Sequence, residues 1–296
     1  MSVINRICLL ILVVTSSGCA LTSTQKEATN SFALASAYIG DFSSNEFNHF
    51  RAATIDMNVT SIAIRGNAKL LDDKDRPNLD EALKPDTVIK RVRSAQALSS
   101  YGKLLLSLVN DTQEAELKQA SNNFVDSFKS VSGKIKMSDS QLEGLGQLVQ
   151  TIGSVLVEAK KADAVKAIVP AALADVDKLC DRLINDYSAT ALNVGQGFDA
   201  TISNLVADAS IALKDSSQSY MDRLIAINGM KKAWEEREHL TIISVQAIET
   251  LKKLKAANSQ LNLSIENDSL SINDIKAVGQ DVNSLRTAIT ALSSEK

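Results

Sequence analysis

The sequence predicts an all-α fold, and three observations predict it. Apolar residues recur at steps of three and four along most of the chain, the period of a helix face. Only 3 Pro and 12 Gly punctuate 296 residues, too few for a many-turned β protein. No segment alternates apolar with polar residues as a half-buried strand does. Each helix so read carries one apolar stripe that must be covered, and short connections place successive helices antiparallel. The expected architecture is therefore an elongated antiparallel bundle of five to six long amphipathic helices with coiled-coil-like packing. Composition agrees: 45% apolar and 23% charged residues suffice to bury a core, and aromatics at 4% leave seams of small and aliphatic side chains.

Taken in order, the first helical pattern runs through Phe32, Ala35, Ile39, Phe42, Phe50, Ala53 and Met57, with an irregularity expected at Gly40 and a stop at Arg65-Gly66-Asn67. Residues 66–85 are dense in charge and hold Pro77 and Pro85, which reads as a loop with a short turn around Leu79 to Leu83. Pro85-Asp86-Thr87 opens a second helix of about 46 residues, ~70 Å long, whose later half carries Leu117, Ala120, Phe124, Phe128 and Val131 and which stops at Ser132-Gly133. Ser140 and Glu143 have capping-box spacing for a third, with Leu142, Leu145, Val149, Ile152 and Leu156 as its seam. Pro170 cannot donate to the helical ladder, so a break is expected before it. A fourth helix then runs from Leu173 through Cys180, Tyr187, Val194 and Phe198 to Ala212, weakened at Gly195 and Gly197. After Asp215-Ser216-Ser217 a fifth carries Tyr220, Leu224, Ile227, Trp234, Leu240, Ile243, Ala247, Leu251 and Leu254. Ser271 with Asp274 restarts a last helix with the seam Ile275, Val278, Val282, Leu285, Ile289 and Leu292.

The N-terminus has a different character. One Arg precedes the apolar run Ile7 to Val14, and small residues follow at Thr15-Ser16-Ser17-Gly18-Cys19-Ala20, the parts of an export signal. Eight residues span ~12 Å, far short of a bilayer. The sequence Ser16-Ser17-Gly18-Cys19 resembles the lipobox of bacterial lipoprotein precursors. That resemblance covers about twenty residues. It implies cleavage between Gly18 and Cys19, lipidation of Cys19 with acyl groups such as palmitate, and, because Ala20 is not the Asp of a retention signal, an outer-membrane anchor facing the periplasm. A plain secretory signal cut after Gly18 or Ala20 is the alternative. The expected organisation is a signal peptide over 1–18, a lipidated tether over 19–26 and one helical-bundle domain over 27–296. Cys8 leaves with the signal, so Cys180 is the lone free thiol, expected as a small core residue.

Sought chemistry is mostly missing from the sequence. There is no G-x-S-x-G, no phosphate-binding glycine loop, no C-x-x-C and no H-E-x-x-H. Asp72, Asp73 and Asp75 lack EF-hand spacing and read as a solvated loop. A net charge of −3 gives no sign of a nucleic-acid partner. One constellation stands out: the chain's two histidines each follow a glutamate by three residues, Glu46 with His49 and Glu236 with His239. On a helix both members share a face, and two such pairs with two further Glu hold two metals in ferritin-like bundles. Glu114, Glu143 or Glu158 would have to complete such a site. Against it, Glu236 and His239 sit among Lys231, Lys232, Glu235, Arg237 and Glu238, which reads as a solvated face.

The leading expectation is a lipid-anchored envelope protein that acts as a binding or scaffolding bundle, without catalysis and without a cofactor. Its partners would be the membrane, through the N-terminal lipid, and a protein the sequence does not identify; the last seam leaves room for a homo-oligomer. The first alternative is the di-metal carboxylate protein, with Glu46, His49, Glu236 and His239 as candidate ligands. The second is a membrane-active, pore-forming bundle, drawn from the lightly charged segment Leu145 to Val176.

Overall fold

A chain with few helix breakers and apolar residues at helical spacing folds as long rods that lie side by side. The computed structural model describes residues 20–65, 77–131, 136–152, 158–188, 193–266 and parts of 275–287. The described regular structure is all helical: α1 (Ser23–Arg65), a 3-10 turn (Glu81–Leu83), α2 (Pro85–Val109), α3 (Glu114–Ser130), α4 (Asp139–Gln150), α5 (Glu158–Tyr187), α6 (Val194–Lys214) and α7 (Tyr220–Glu266). The main apolar core draws on every helix, from Leu21 to Leu285, and a small second cluster of Ala209, Ala212 and Ala226 joins α6 to α7. The C-terminal seam contributes its described members Ile275, Val278, Val282 and Leu285 to that core, while Ser271, Asp274, Ile289 and Leu292 lie outside the described residues.

The two longest helices form the spine. Gln25 of α1 donates its side-chain amide to the Ser264 carbonyl of α7 at 2.8 Å, and at the far end Lys232 pairs with Asp56 and Gly229 packs on Thr60. Rising numbers on one helix meet falling numbers on the other, so α1 and α7 run antiparallel along nearly their whole lengths. On its other side α1 crosses α2 at van der Waals contact of the backbones. A Cβ on Gly40 would lie 2.5 Å from the Ser99 nitrogen, and one on Gly102 would lie 2.5 Å from the Ala33 carbonyl oxygen. Gly40 marks no irregularity, because α1 passes through it unbroken. The glycine removes bulk where two helices touch.

Three breaks differ from expectation, each for a local reason. The second predicted helix is two, α2 ending at Val109 and α3 starting at Glu114, across Asn110-Asp111-Thr112, residue types of low helix propensity. The gap is tied down from outside: Lys161 Nζ donates to the Asn110 carbonyl at 2.8 Å, and Asn110 donates to the Asn30 side chain at 3.2 Å. The fourth predicted helix also divides, ending at Tyr187 and restarting at Val194, where Asn193 accepts from the Gln196 amide at 3.0 Å. Conversely, Pro170 lies inside an unbroken α5. Pro170 is exposed while Ile168, Val169 and Ala172 are buried, so the ring stands on the outer face and the buried stripe holds the helix together. The α4 cap is Ser138 with Gln141, a capping box two residues before the expected one.

The seam of α7 is the largest correction. Its first third buries Ala226, Gly229 and Ala233, and turns Tyr220, Ile227 and Trp234 outward at 74%, 52% and 59% exposure. Large apolar residues drew the sequence reading to the wrong face; small ones make the contact. From Leu240 onward the expected seam of Ile243, Ala247, Leu251 and Leu254 is the buried one.

Candidate functional site

Positions three apart on a helix share a face, so Glu46 and His49 on α1 form one edge of a site and Glu236 and His239 on α7 form the other. Because the helices are antiparallel, each glutamate faces the other helix's histidine. His239 Nε2 lies 2.8 Å from Glu46 Oε2, and His49 Nε2 lies 3.0 Å from Glu236 Oε2. The imidazole rings touch edge to face with centroids 4.9 Å apart. An ionised carboxylate only accepts hydrogen bonds, so each Nε2 carries the donated proton. The result is a crossed quartet with approximate two-fold symmetry that clamps α1 to α7.

The quartet is largely buried and opens to solvent on the His49 side. Both glutamate side chains are 11% exposed, His239 is 18% and His49 34%. The neighbouring charges that suggested a wet face are drawn away: Lys232 to Asp56, Lys231 to Glu235, and Arg237 toward Asp199 at 3.8 Å and Ser203 at 2.9 Å. Beneath the histidines lies an aromatic floor. Phe50 stacks on Phe198 at 4.7 Å and its ring is 6.2 Å from His49 and 6.4 Å from His239, with Tyr187 edge-on behind it. An apolar floor with a polar lid strengthens each hydrogen bond above it, since little water competes there.

The carboxylates named to complete a di-metal site lie elsewhere. Glu143 is bound to Lys129 at 2.7 Å, which holds its carboxyl below the usual range, and Glu158 to Lys26, with the same effect. Glu114 is exposed at the start of α3. Among the described residues no three His, Cys, Asp or Glu side chains stand ready around one point for a metal ion. Cys180 is buried in α5; burial, with Asp177 and Asp181 adding to it, pushes its thiol well above the ordinary cysteine value, so it is an inert core residue.

No relative enters the picture. No protein-family model matches the chain, and no curated protein and no solved structure is detectably similar to it. The functional reading therefore rests on the geometry.

At the N-terminal end, Gly18 and Cys19 lie outside the described residues, as do Asp72, Asp73 and Asp75 of the acidic loop and the Ser132-Gly133 stop. Helix begins only a few residues past Cys19. Leu21 is buried at 7% exposure, and Thr22 and Gln25 form a capping box, with the Gln25 amide donating to Thr22 Oγ1 at 3.2 Å and the Thr22 amide donating to Gln25 Oε1 at 3.0 Å. The expected tether over 19–26 is thus replaced by a helix docked from Ser23. The segment Leu145 to Val176 falls in α4 and α5 apart from residues 153–157, which are not described, and its Val149, Ala162, Val165, Ile168, Val169 and Val176 face the core. Among the described residues no helix is long and apolar enough to cross a membrane.

Two surface features have no counterpart among the sites the sequence predicts. One is the outward stripe of Tyr220, Ile227 and Trp234, whose seven-residue recurrence is legible but reads as core. The other is a basic cleft between α2, α3 and α5, whose residues are scattered over the sequence and carry no motif.

Proposed function

We propose that the chain is a lipid-anchored protein of the bacterial envelope, held through Cys19 at the outer membrane on its periplasmic side, and that it works as a non-catalytic binding or scaffolding bundle. The observation that supports this best is the apolar stripe on α7. Tyr220, Ile227 and Trp234 stand outward at half a coiled-coil seam's spacing. A partner helix with a complementary apolar face would cover them. The stripe lies near the start of α7, and α7 ends beside the start of α1, so it is held ~60 Å along the bundle from the N-terminus. Only three residues separate Cys19 from α1, a reach of about 10 Å. An acyl anchor there places the bundle end against its bilayer and the stripe away from it, toward a protein.

The test is fractionation with mass spectrometry of the N-terminal peptide. The expected result is an acylated Cys19 in the membrane fraction and release of Cys19→Ala into the soluble fraction; a bare sulfur on a dissolved protein overturns the anchor. A photo-crosslinker at Ile227 should join one discrete partner protein, and Trp234→Ala should abolish that product. Crosslinking that is diffuse, or indifferent to Trp234, overturns the scaffold reading.

One observation favours a second reading: the two Glu-His pairs meet. Two imidazoles and two carboxylates are a borderline donor set suited to a single Zn²⁺ or a similar divalent ion. Entry of the ion would displace both Nε2 protons and re-aim the four side chains into one sphere. Purified protein should then take up one equivalent of Co²⁺ with a change in its visible spectrum, and Glu46→Gln with Glu236→Gln should abolish it. A protein that binds no Co²⁺ and gains no thermal stability from it leaves the quartet a clamp alone.

A further inference from the structure

The last turns of α3 and α5 and one face of α2 enclose a cleft of about 350 Å³. Its walls carry Lys90, Arg91 and Arg93 from α2 and Arg182 from α5, against a single carboxylate, Asp186. That is a concentration of positive charge in a chain whose formal net charge is −3. Part of it is structural. Arg91 Nε donates to Asp186 Oδ1 at 3.1 Å and its NH1 group to the Thr87 carbonyl at 3.1 Å, so this guanidinium is fixed and the buried carboxylate is used. Helix C-termini also attract cations, and the ends of α3 and α5 lie here, each equivalent to roughly −0.5 charge. Two helix ends and Asp186 offset about two of the four cations, and a net positive concavity remains.

The size and chemistry of this concavity select the ligand. The volume is within the ~300 to 1,000 Å³ of small-ligand sites. Arginine forks hold phosphoryl oxygens with paired donors, where lysine offers a point charge. A second cleft of about 380 Å³ shares Arg91 and is lined beyond it by Ala82, Gln196, Gly197 and Ala200, leaving space for the uncharged remainder of a ligand. We propose that this cleft binds a compact anion bearing phosphoryl groups, with Arg93 and Arg182 as the principal contacts. The site is independent of the anchor, of the α7 stripe and of the quartet.

Calorimetric titration of inorganic pyrophosphate into the mature chain at low salt tests it. Saturable one-site binding is expected, weakening as salt rises. Arg93→Gln and Arg182→Gln should each weaken it at least about fivefold, while Lys252→Gln, an exposed lysine on α7, leaves it unchanged. Arg93 is exposed, so its variant retains the fold, and circular dichroism checks both. Vesicles of phosphatidylglycerol and of phosphatidylcholine separate the sources. Retention by phosphatidylglycerol that pyrophosphate competes away identifies a lipid headgroup; pyrophosphate binding without retention identifies a free phosphate compound. Absence of saturable pyrophosphate binding at about 1 mM, whatever the vesicles show, overturns the proposal. So does an equal loss in Lys252→Gln, which would mean diffuse attraction to the whole surface.

Discussion

Glu46 and His239 meet 2.8 Å apart across the α1–α7 interface, and one helical turn away His49 and Glu236 repeat the contact with the roles exchanged. The pairing fixes register, because a slide of α7 by one turn would set carboxylate against carboxylate. A double-mutant cycle should therefore find coupling in both pairs of about 1 to 2 kcal/mol, larger for Glu46 with His239, the less exposed pair. Exchanging the residues, Glu46→His with His239→Glu, should place like groups side by side and cost more than either single alanine. Urea unfolding of the set measures this, and additive single effects would refute it.

The α1–α2 crossing predicts a contrast among glycines. Gly40→Ala and Gly102→Ala each force a methyl to within 2.5 Å of partner backbone, so the helices must separate. Each should lose about 1 to 3 kcal/mol despite the better helix former. Gly144, in α4, has nothing within 4 Å of its would-be Cβ. Gly144→Ala should gain up to about 1 kcal/mol. Thermal melts of the three variants would show opposite signs.

Alkaline pH should unfold the bundle. Cys180, Tyr101 and Tyr187 are buried, and burial raises the ionisation constant of each above its ordinary value of 9.0 for the thiol and 10.0 for the phenols. The fold holds their neutral forms, so their contribution is complete below those values and is lost as pH rises past them. Stability should fall steeply above about pH 9. Tyr101 Oη is buried without a hydrogen-bond partner among the described residues, so Tyr101→Phe should gain about 1 kcal/mol at neutral pH. The same variant should flatten the alkaline fall. A melting temperature unchanged from pH 7 to pH 11 would contradict the burial of all three groups.

Trp234 is the chain's one tryptophan and is 59% exposed. Its emission in the isolated protein should resemble that of a tryptophan in water and be quenched readily by acrylamide. Covering the α7 stripe should move the emission to the blue and suppress quenching. Emission that is already blue in the isolated monomer would place the ring in the core, contrary to the structure.

Helix class and most seams were legible because large apolar residues at three-and-four spacing have no alternative to burial; Phe32, Ile39, Phe50, Met57, Phe124 and Phe128 all lie in the core. The Glu-His spacing was legible too, and the meeting of its two halves follows from two helices that run antiparallel. What the sequence hid was contact made by small residues. Ala226, Gly229 and Ala233 carry little hydrophobic signal, yet they bring α7 against α6 and α1, whereas the conspicuous Tyr220, Ile227 and Trp234 point away. The interruption at Asn110 and the continuity at Pro170 run against periodicity for a related reason: helix propensity and solvent exposure decide such points, and periodicity records neither. The basic cleft depends on which ends of α2, α3 and α5 converge, which no local pattern encodes.

The order of synthesis has a consequence of its own. α2 covers one face of α1 as soon as residue 109 is made, but the face bearing Glu46 and His49 is closed only by α7, the last of these helices to be translated. Until then the nascent polypeptide has an uncovered apolar groove and no means of completing its core. Completion of the core therefore waits on contacts of long sequence separation, 187 residues for His49 with Glu236 and 193 for Glu46 with His239, the kind of closure that slows folding.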